Sequence, residues 1–314
     1  MILLFFSILL ISSLLYYFCQ KYFIKKNKYD EVIKRSSHSV KATRSGGTTV
    51  FLTVFLITLY LYLTSNQIFD FSLFIPLGIL FTVGLYDDIY QIDFKLKFIF
   101  QLIVAKILID QGIILDSLNG FLGIYDIPYM LSQALTIFFI IFILNATNFS
   151  DGVDGLATTE TIKCLTIVLI LNNWSVFDSY NFFLAIILIS LIPLYYFNFK
   201  KENKIFLGDS GSLLLGGIVC VAIITLNDFQ SNDLITKINS PLLILTCFTY
   251  PIIDTIYIIS RRILNKKSPF IADKNHIHHL ILKKGYSHIQ TLFVLSGVTG
   301  LLQLSVLTYI TYLS

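Results

Sequence analysis

Long apolar runs recur along the whole 314-residue chain, and they constrain its fold more than any other feature. A helix needs about 20 mostly apolar residues to cross a bilayer, with a range of about 17 to 25. One run is weaker than the others because Glu160 and Lys163 interrupt its start. We predict ten transmembrane helices, in residues 1–18, 48–63, 71–86, 98–114, 129–144, 157–171, 182–197, 212–226, 241–259 and 289–313.

Composition supports an all-α polytopic membrane protein and excludes several other classes. The chain is 55% hydrophobic and only 13% charged, whereas soluble domains carry about 25% charged residues. A soluble enzyme, a disordered tail protein and a nucleic-acid-binding protein are therefore excluded. The four cysteines stand singly in apolar runs, which favours packing over disulfides or zinc binding. No linker or internal repeat divides the chain, so we predict a single domain over residues 1–314.

The distribution of lysine and arginine predicts the orientation in the membrane. Basic residues follow predicted spans one, three, seven and nine, while the alternate loops contain only Lys237. Positive charge marks cytoplasmic loops. Both termini are therefore predicted outside, and the five loops after the odd-numbered spans are predicted in the cytoplasm.

Four polar segments fall on this predicted cytoplasmic side. They read GLYDD at 84–88, NATNFSDGVDGL at 145–156, FLGDSGS at 206–212 and DKNHIHH at 273–279. Carboxylates that converge at one place repel each other unless a cation or a reaction offsets the repulsion. Because carboxylates predominate and few imidazoles stand at coordinating spacing, the segments suit Mg²⁺, with Mn²⁺ as the alternative, more than zinc. Together with nearby lysines and histidines, they predict phosphoryl transfer at the membrane surface.

Each polar segment also has a purely structural explanation. Asp87 and Asp88 would suit a solvated helix end, and Asp151 and Asp154 would suit turn or capping positions. The histidine run would suit a surface loop. The joint placement of all four segments on one predicted face favours a functional site.

Further ionisable residues lie inside the predicted spans. Asp254 is a functional hypothesis by its position alone. Arg261 follows it by seven residues, so the two can share a helix face, and a structural ion pair is the alternative. Lys106 and Asp110 are four residues apart, and we expect them to pair with each other.

Taken together, these segments resemble those of the polyprenyl-phosphate N-acetylhexosamine-1-phosphate transferases, the glycosyltransferase 4 family that includes MraY, WecA and TagO. The resemblance covers most of the chain, and its most specific parts are 145–156, 206–212 and 273–280. The stretch from Pro251 to Leu280 is more similar to the WecA branch than to MraY. The resemblance implies ten or eleven helices and an active site on the cytoplasmic face of a bacterial inner membrane.

The reaction that this resemblance implies moves an N-acetylhexosamine 1-phosphate from a UDP-sugar to undecaprenyl phosphate and releases UMP. UDP-GlcNAc is the favoured donor, and the product would start a lipid-linked cell-surface glycan such as O-antigen. Mg²⁺ is the implied cofactor, and the two substrates and the bilayer are the implied partners. The sequence leaves open which amino sugar is transferred and whether the protein forms a homodimer.

The resemblance also implies roles for residues in the polar segments. Asp209 corresponds to the metal ligand, and Asp87 and Asp88 correspond to an acidic pair that acts on the lipid phosphate or the metal. Of these two, we assign proton removal to Asp87 and metal or lipid positioning to Asp88. Asp151 and Asp154 complete the expected catalytic residues. The expected substrate-binding residues are Asn148, His276, His278, His279, Arg44 and His38.

Two positions depart from the pattern of the family. The first cytoplasmic loop reads HSVKATRSGG at 38–47 in place of HxxPTPRGGG, and the loss of both prolines predicts a less rigid loop. Gln91 stands where WecA-like members often carry a third aspartate, and Asp93 follows two residues later.

Two other functions are alternatives at this point. One is the MraY-type transfer of phospho-MurNAc-pentapeptide in peptidoglycan synthesis, which the HIHHL sequence of the last loop disfavours. The other is secondary transport, in which ionisable residues usually lie near the bilayer midplane on broken helices with repeat symmetry. The carboxylates here fall at cytoplasmic helix ends, which argues against transport.

Overall fold

The fold is described by a computed structural model over residues 2–29, 41–65, 71–172, 179–228, 239–268 and 275–313. Helices account for nearly all of the regular structure in these ranges. The helices are α1 (Ile2–Lys25), α2 (Gly46–Ser65), α3 (Phe74–Tyr90, after a 3₁₀ turn at Phe71–Leu73), α4 (Phe94–Asp110), α5 (Tyr129–Ser150), α6 (Leu156–Leu171), α7 (Ser179–Asn198), α8 (Gly208–Asp228), α9 (Ser240–Cys247), α10 (Thr249–Leu264), α11 (Ile277–Lys283) and α12 (His288–Leu313), and the strands are β1 (Ala42–Thr43) and β2 (Lys204–Ile205).

Each of the ten predicted apolar runs contains a helix, although the run at 98–114 continues past the end of α4 at Asp110, and the protein is an all-α polytopic membrane protein. Within the described ranges, seven helices are long and apolar enough to cross a membrane: α1, α2, α3 with its 3₁₀ turn, α5, α7, α8 and α12. The bent pair α9 and α10 gives an eighth if it counts as one span. With 17 and 16 residues, α4 and α6 are about 25 Å long, short of the roughly 30 Å of hydrocarbon. The orientation of the termini stays a prediction.

The predicted span at 241–259 is not one continuous helix. α9 and α10 meet at Phe248 with a bend of 100°. Pro251 gives the physical reason, because it has no N–H to donate to the carbonyl four residues earlier. Beyond the bend, α10 is amphipathic: it exposes apolar side chains such as Ile256 and fully buries Asp254.

α8 lies at the centre of the bundle, where it packs against α2, α3, α5, α6 and α9. Small residues let helices in membranes approach closely, and here the approach is close enough to exclude any side chain. A Cβ added at Gly47 would lie 2.1 Å from the backbone nitrogen of Gly211, and one at Gly84 would lie 2.4 Å from the carbonyl oxygen of Asp209. The ends of α2, α3 and α8 that carry the polar segments therefore lie side by side.

The charged residues that interrupt the sixth predicted span have polar partners inside the bundle. Glu160 is fully buried, and its Oε2 lies 2.9 Å from Nζ of Lys163. Lys163 also donates to Thr299 on α12 at 2.7 Å, and Ser296 donates to Glu160 at 3.2 Å. The ion pair thus connects α6 to α12.

Candidate active site

The acidic pair lies in the last turn of α3. Asp87 accepts the N–H of Ile92 at 2.7 Å through Oδ1, and its Oδ2 lies 2.6 Å from Nζ of Lys97 on α4. Both side chains of this ion pair are largely buried. Asp87 is therefore fixed by one backbone donor and one ammonium group.

Asp88 points in a different direction, as expected for adjacent residues about 100° apart on a helix. Its two oxygens accept the backbone N–H groups of Asp209 at 2.9 Å and Ser210 at 3.0 Å. The guanidinium of Arg44 lies 3.6 Å away, and the side chain of Asp88 is only 1% exposed. Because the first N–H groups of a helix lack partners within it, Asp88 stabilises the start of α8 and fixes the position of Asp209.

Asp209, in the first turn of α8, shares a cation with Asp87. Its Oδ2 lies 2.9 Å from the same Nζ of Lys97, and its Oδ1 accepts from the Asn148 amide at 2.7 Å. One ammonium group therefore joins carboxylates from α3 and α8. Sequence reasoning missed Lys97, because a lysine beside a span is an ordinary marker of topology and no local motif distinguishes it.

Two glycines at the start of α2, Gly46 and Gly47, pack against backbone. The N–H of Gly46 donates to the carbonyl of Phe206 at 3.0 Å, and that of Gly47 donates to Leu207 at 2.9 Å. These bonds continue the parallel pairing of β1 with β2. Despite the missing prolines, hydrogen bonds hold the loop from β1 onward, and they place Arg44 beside the acidic pair.

Asp151 differs from the other acidic residues of the site. It lies between α5 and α6, is partly buried, and its side chain makes no hydrogen bond or ion pair within the described part of the chain. Burial, followed by the neighbouring carboxylates of Asp209 and Asp88, raises the pKa of Asp151 well above its usual range. Asp151 can therefore hold a proton at a pH where an exposed aspartate is ionised.

Asp154, three residues later, is fully engaged by protein groups. Its Oδ2 lies 2.6 Å from Nζ of Lys204 on β2, and its backbone N–H donates to Nδ1 of His288 at 3.2 Å. Asp154, expected to be catalytic, thus connects the 151–155 turn to β2 and α12. No sequence signal distinguishes Lys204 from the other lysines of its loop.

The histidine segment lies against α10. Nδ1 of His276 lies 2.7 Å from Oδ2 of Asp254, and Nδ1 of His278 lies 2.9 Å from the hydroxyl of Tyr250. The ring of His279 packs on that of His278 with centroids 4.2 Å apart. The three histidines therefore form one layer, and two of them are anchored by α10.

His278 is neutral in this layer. Burial, followed by the adjacent rings of His279 and His276, lowers the pKa of His278 well below its usual range. Its Nε2 lies close to the backbone at Gly152, where an added Cβ would be 2.4 Å away. His278 can therefore offer a hydrogen bond but not a positive charge. The remaining predicted histidine, His38, lies outside the described residues.

The alternative pairing of Asp254 with Arg261 is wrong. His276 and the backbone N–H of Ile277, at 2.7 Å, occupy the two oxygens of Asp254. Arg261 donates instead to the hydroxyl of Tyr257 at 3.1 Å. The expected pair of Lys106 and Asp110 is confirmed.

A cavity of about 440 Å³ connects these groups, which is within the usual range of ligand pockets of about 300–1,000 Å³. Asp87 and Asp88 lie behind its wall, next to Asp209. Eight of the predicted site residues line it: Arg44, Asn148, Asp151, Asp154, Asp209, His276, His278 and His279.

The donor set fits magnesium but not a complete protein-only metal site. Among the described residues, no three carboxylate, imidazole or thiol groups converge tightly enough to hold a metal alone. Asp87 and Asp209 do direct one oxygen each toward the same point, now held by Lys97. Mg²⁺ is usually bound by one or two carboxylates together with substrate phosphates, so this pair suits Mg²⁺ with a bound diphosphate. Asp88 suits the expected ligand role less well, since backbone N–H groups occupy both of its oxygens.

Comparison with known proteins identifies the family of the chain. The profile of glycosyl transferase family 4 matches residues 70–227. The chain is 30% identical to a probable undecaprenyl-phosphate N-acetylglucosaminyl 1-phosphate transferase of Bacillus subtilis, over 87% of this chain and 74% of the relative. It is 28% identical to a decaprenyl-phosphate N-acetylglucosaminephosphotransferase of Mycobacterium tuberculosis, over 83% and 70%. It is 26% identical to an undecaprenyl-phosphate alpha-N-acetylglucosaminyl 1-phosphate transferase of Escherichia coli, over 94% and 80%. The chain therefore belongs to glycosyl transferase family 4.

Proposed function

We propose that the protein transfers N-acetylglucosamine 1-phosphate from UDP-GlcNAc to undecaprenyl phosphate and releases UMP. One observation carries the proposal: Asp87 and Asp209 converge on Lys97 beside a polar cavity of nucleotide-binding size. The names of the Bacillus subtilis and Escherichia coli relatives support the same donor sugar and the same lipid. The proposed location is the bacterial inner membrane, with the cavity facing the cytoplasm.

The proposed reaction is a displacement at phosphorus. An oxygen of the lipid phosphate forms a bond to the β-phosphorus of the donor, and the bond from that phosphorus to the bridging oxygen breaks. The bridging oxygen leaves with UMP. When bound, Mg²⁺ would supply charge stabilisation for the diphosphate, and Asp87 and Asp209 are the residues that would hold it.

The remaining groups of the site have distinct tasks in this proposal. Asn148 orients Asp209 through the amide bond at 2.7 Å, and Lys97 adds a positive charge beside the transferred phosphate. Asp88 is a positioning residue, because it holds the backbone of α8 and not a ligand. Arg44 and the histidine layer face the cavity and contact the donor.

We assign proton removal to Asp151 in place of Asp87. Burial raises the pKa of both carboxyls, but Asp87 is held by Lys97 and a backbone N–H, whereas the side chain of Asp151 has no hydrogen-bond partner among the described residues. A general base works best when its pKa is near the operating pH. Phosphate monoesters have a second pKa of about 6, so only the fraction of lipid phosphate that still carries a proton needs this base.

The test uses the purified protein with undecaprenyl phosphate and MgCl₂. UDP-GlcNAc should give UMP and a lipid whose mass has increased by N-acetylglucosamine phosphate, and EDTA should stop both. UDP-GalNAc and UDP-MurNAc-pentapeptide should react at least 10-fold more slowly. Faster turnover of UDP-MurNAc-pentapeptide would favour the MraY-type reaction, and substrate movement across vesicles without UMP release would favour transport.

A further inference from the structure

Asp254 is a buried carboxylate that contacts His276, a residue of the cavity lining, on the side away from the cavity. It is fully buried on α10 and does not itself line the cavity. Its Oδ2 lies 2.7 Å from Nδ1 of His276, and its Oδ1 accepts the backbone N–H of Ile277 at 2.7 Å. His276 does line the cavity, so Asp254 can act on a ligand through this histidine.

We propose that Asp254 is a positioning residue that keeps the ring proton of His276 on Nδ1, so that Nε2 is the atom available to the UDP-sugar. A carboxylate that accepts two hydrogen bonds requires a donor at each partner, and Nδ1 is therefore the protonated nitrogen. The hydrogen bond of one ring nitrogen sets the state of the other. This inference rests on the proposed function because it names the UDP-sugar as the ligand. The position of the ring proton does not depend on the proposed function.

The same face of α10 orients the second histidine. Tyr250 precedes Asp254 by four residues, so the two side chains are neighbours on the helix surface. Its hydroxyl lies 2.9 Å from Nδ1 of His278, and the rings of His276 and His278 are stacked at 5.4 Å and 18°. The bend at Phe248 is what brings this face of α10 against the histidine segment.

Asp254→Asn keeps the shape of the side chain and reverses the hydrogen-bond requirement. The N–H of Ile277 needs an acceptor, so the new amide keeps its oxygen there and directs its NH₂ group toward Nδ1 of His276. Nδ1 must then accept, and the ring proton moves to Nε2. Loss of a carboxylate behind a metal-binding histidine typically costs 10- to 100-fold, and we expect a loss of about the same size in kcat/KM for UDP-GlcNAc, mainly through KM.

The direct test is ¹⁵N NMR of protein labelled at histidine, with the His276 signals identified from a His276→Gln sample. The wild-type protein should show a protonated Nδ1, and Asp254→Asn should show a protonated Nε2 with an unprotonated Nδ1. An unprotonated Nδ1 in the wild-type protein would overturn the proposal whether or not the variant folds. This measurement also separates the proposal from the proposed function, because it requires no turnover.

A double-mutant cycle distinguishes positioning from simple support of α11. If Asp254 acts through His276, then Asp254→Asn should change kcat/KM less than 2-fold in a His276→Ala background. An undiminished 10-fold loss in that background would overturn the proposal. Glu160→Gln is the matched control, since Glu160 is also a buried acid with protein partners, but neither it nor its partners Lys163 and Ser296 line the cavity; it should leave the KM for UDP-GlcNAc within 2-fold.

Discussion

Replacing Lys97 with methionine should make the cation-free protein markedly less stable. Methionine keeps the apolar stem but removes the ammonium group that lies 2.6 Å from Asp87 and 2.9 Å from Asp209. The two carboxylate oxygens are at most about 5.5 Å apart, and at an effective dielectric constant of about 20 they then repel by about 3 kcal/mol. This agrees with the roughly 3–5 kcal/mol lost when one partner of a buried ion pair is removed.

The assay can use the cysteines of the protein. Cys164, Cys220 and Cys247 are buried and free, whereas Cys19 is partly exposed, so the reaction of a thiol-reactive fluorophore reports unfolding in detergent once Cys19 has been replaced by serine in every variant. In EDTA we expect Lys97→Met to unfold about 5–10 °C below the wild-type protein. MgCl₂ should restore more of the Tm in the variant than in the wild-type protein, because Mg²⁺ replaces the missing charge.

Lys106→Met is the matched control on the same helix. Lys106 also pairs with an aspartate, but its side chain is 54% exposed, and exposed ion pairs contribute about 0–1 kcal/mol. If both lysine variants unfold at the same temperature in EDTA, the ammonium of Lys97 does not compensate the carboxylates and the reasoning is refuted.

Three further substitutions test other parts of the site. Asp209→Asn should lower kcat at least 100-fold and weaken the Mg²⁺ dependence of turnover, and wild-type turnover with an unchanged Mg²⁺ titration would contradict the metal assignment. Asp151→Asn should abolish proton transfer by this residue yet raise the Tm at pH 8 in EDTA. Because the pKa of Asp151 is raised in the folded protein, its ionisation weakens the fold as the pH rises above about 4, so the increase in Tm should be smaller at pH 5. An increase in Tm that does not depend on pH would argue against a buried carboxyl. Gly152→Ala should raise the KM for UDP-GlcNAc, since the new methyl would lie 2.4 Å from Nε2 of His278. An unchanged KM would show that the His278 ring can move aside without loss of substrate binding.

Hydrophobic runs predicted the helices well because lipid leaves the backbone few alternatives. A chain in hydrocarbon must satisfy its N–H and C=O groups within the helix, so the segment containing Glu160 and Lys163 is helical despite its charges. The bend at Phe248 was missed because the run is apolar on both sides of it, although Pro251 was a visible signal. Hydropathy indicates whether a segment enters the membrane. The direction of the helix after Phe248 depends instead on the single N–H that Pro251 lacks.

The candidate site was predictable in its residues but not in their pairing. Motifs placed Asp87, Asp88 and Asp209 in one site, yet sequence cannot show which carboxylate meets a backbone N–H group and which meets an ammonium. That difference turns Asp88 from an expected ligand into a support of α8. Lys97 and Lys204 were missed for a similar reason, because Asp209 and Asp154 lie 112 and 50 residues away from them along the chain.

The bond between Asp88 and the start of α8 has a consequence for the biogenesis of the protein. Asp88 and Asp209 are 121 residues apart, so ribosomes that add about 5–20 residues per second need about 6–24 s to supply the second after the first. During that interval the partners of Asp88 from α8 have not yet been made, and water must solvate its carboxylate at the membrane surface. A nascent chain halted before residue 209 therefore has the first two acidic residues of the site but not Asp209, and Asp88 meets its partners only when α8 enters between helices already in the membrane.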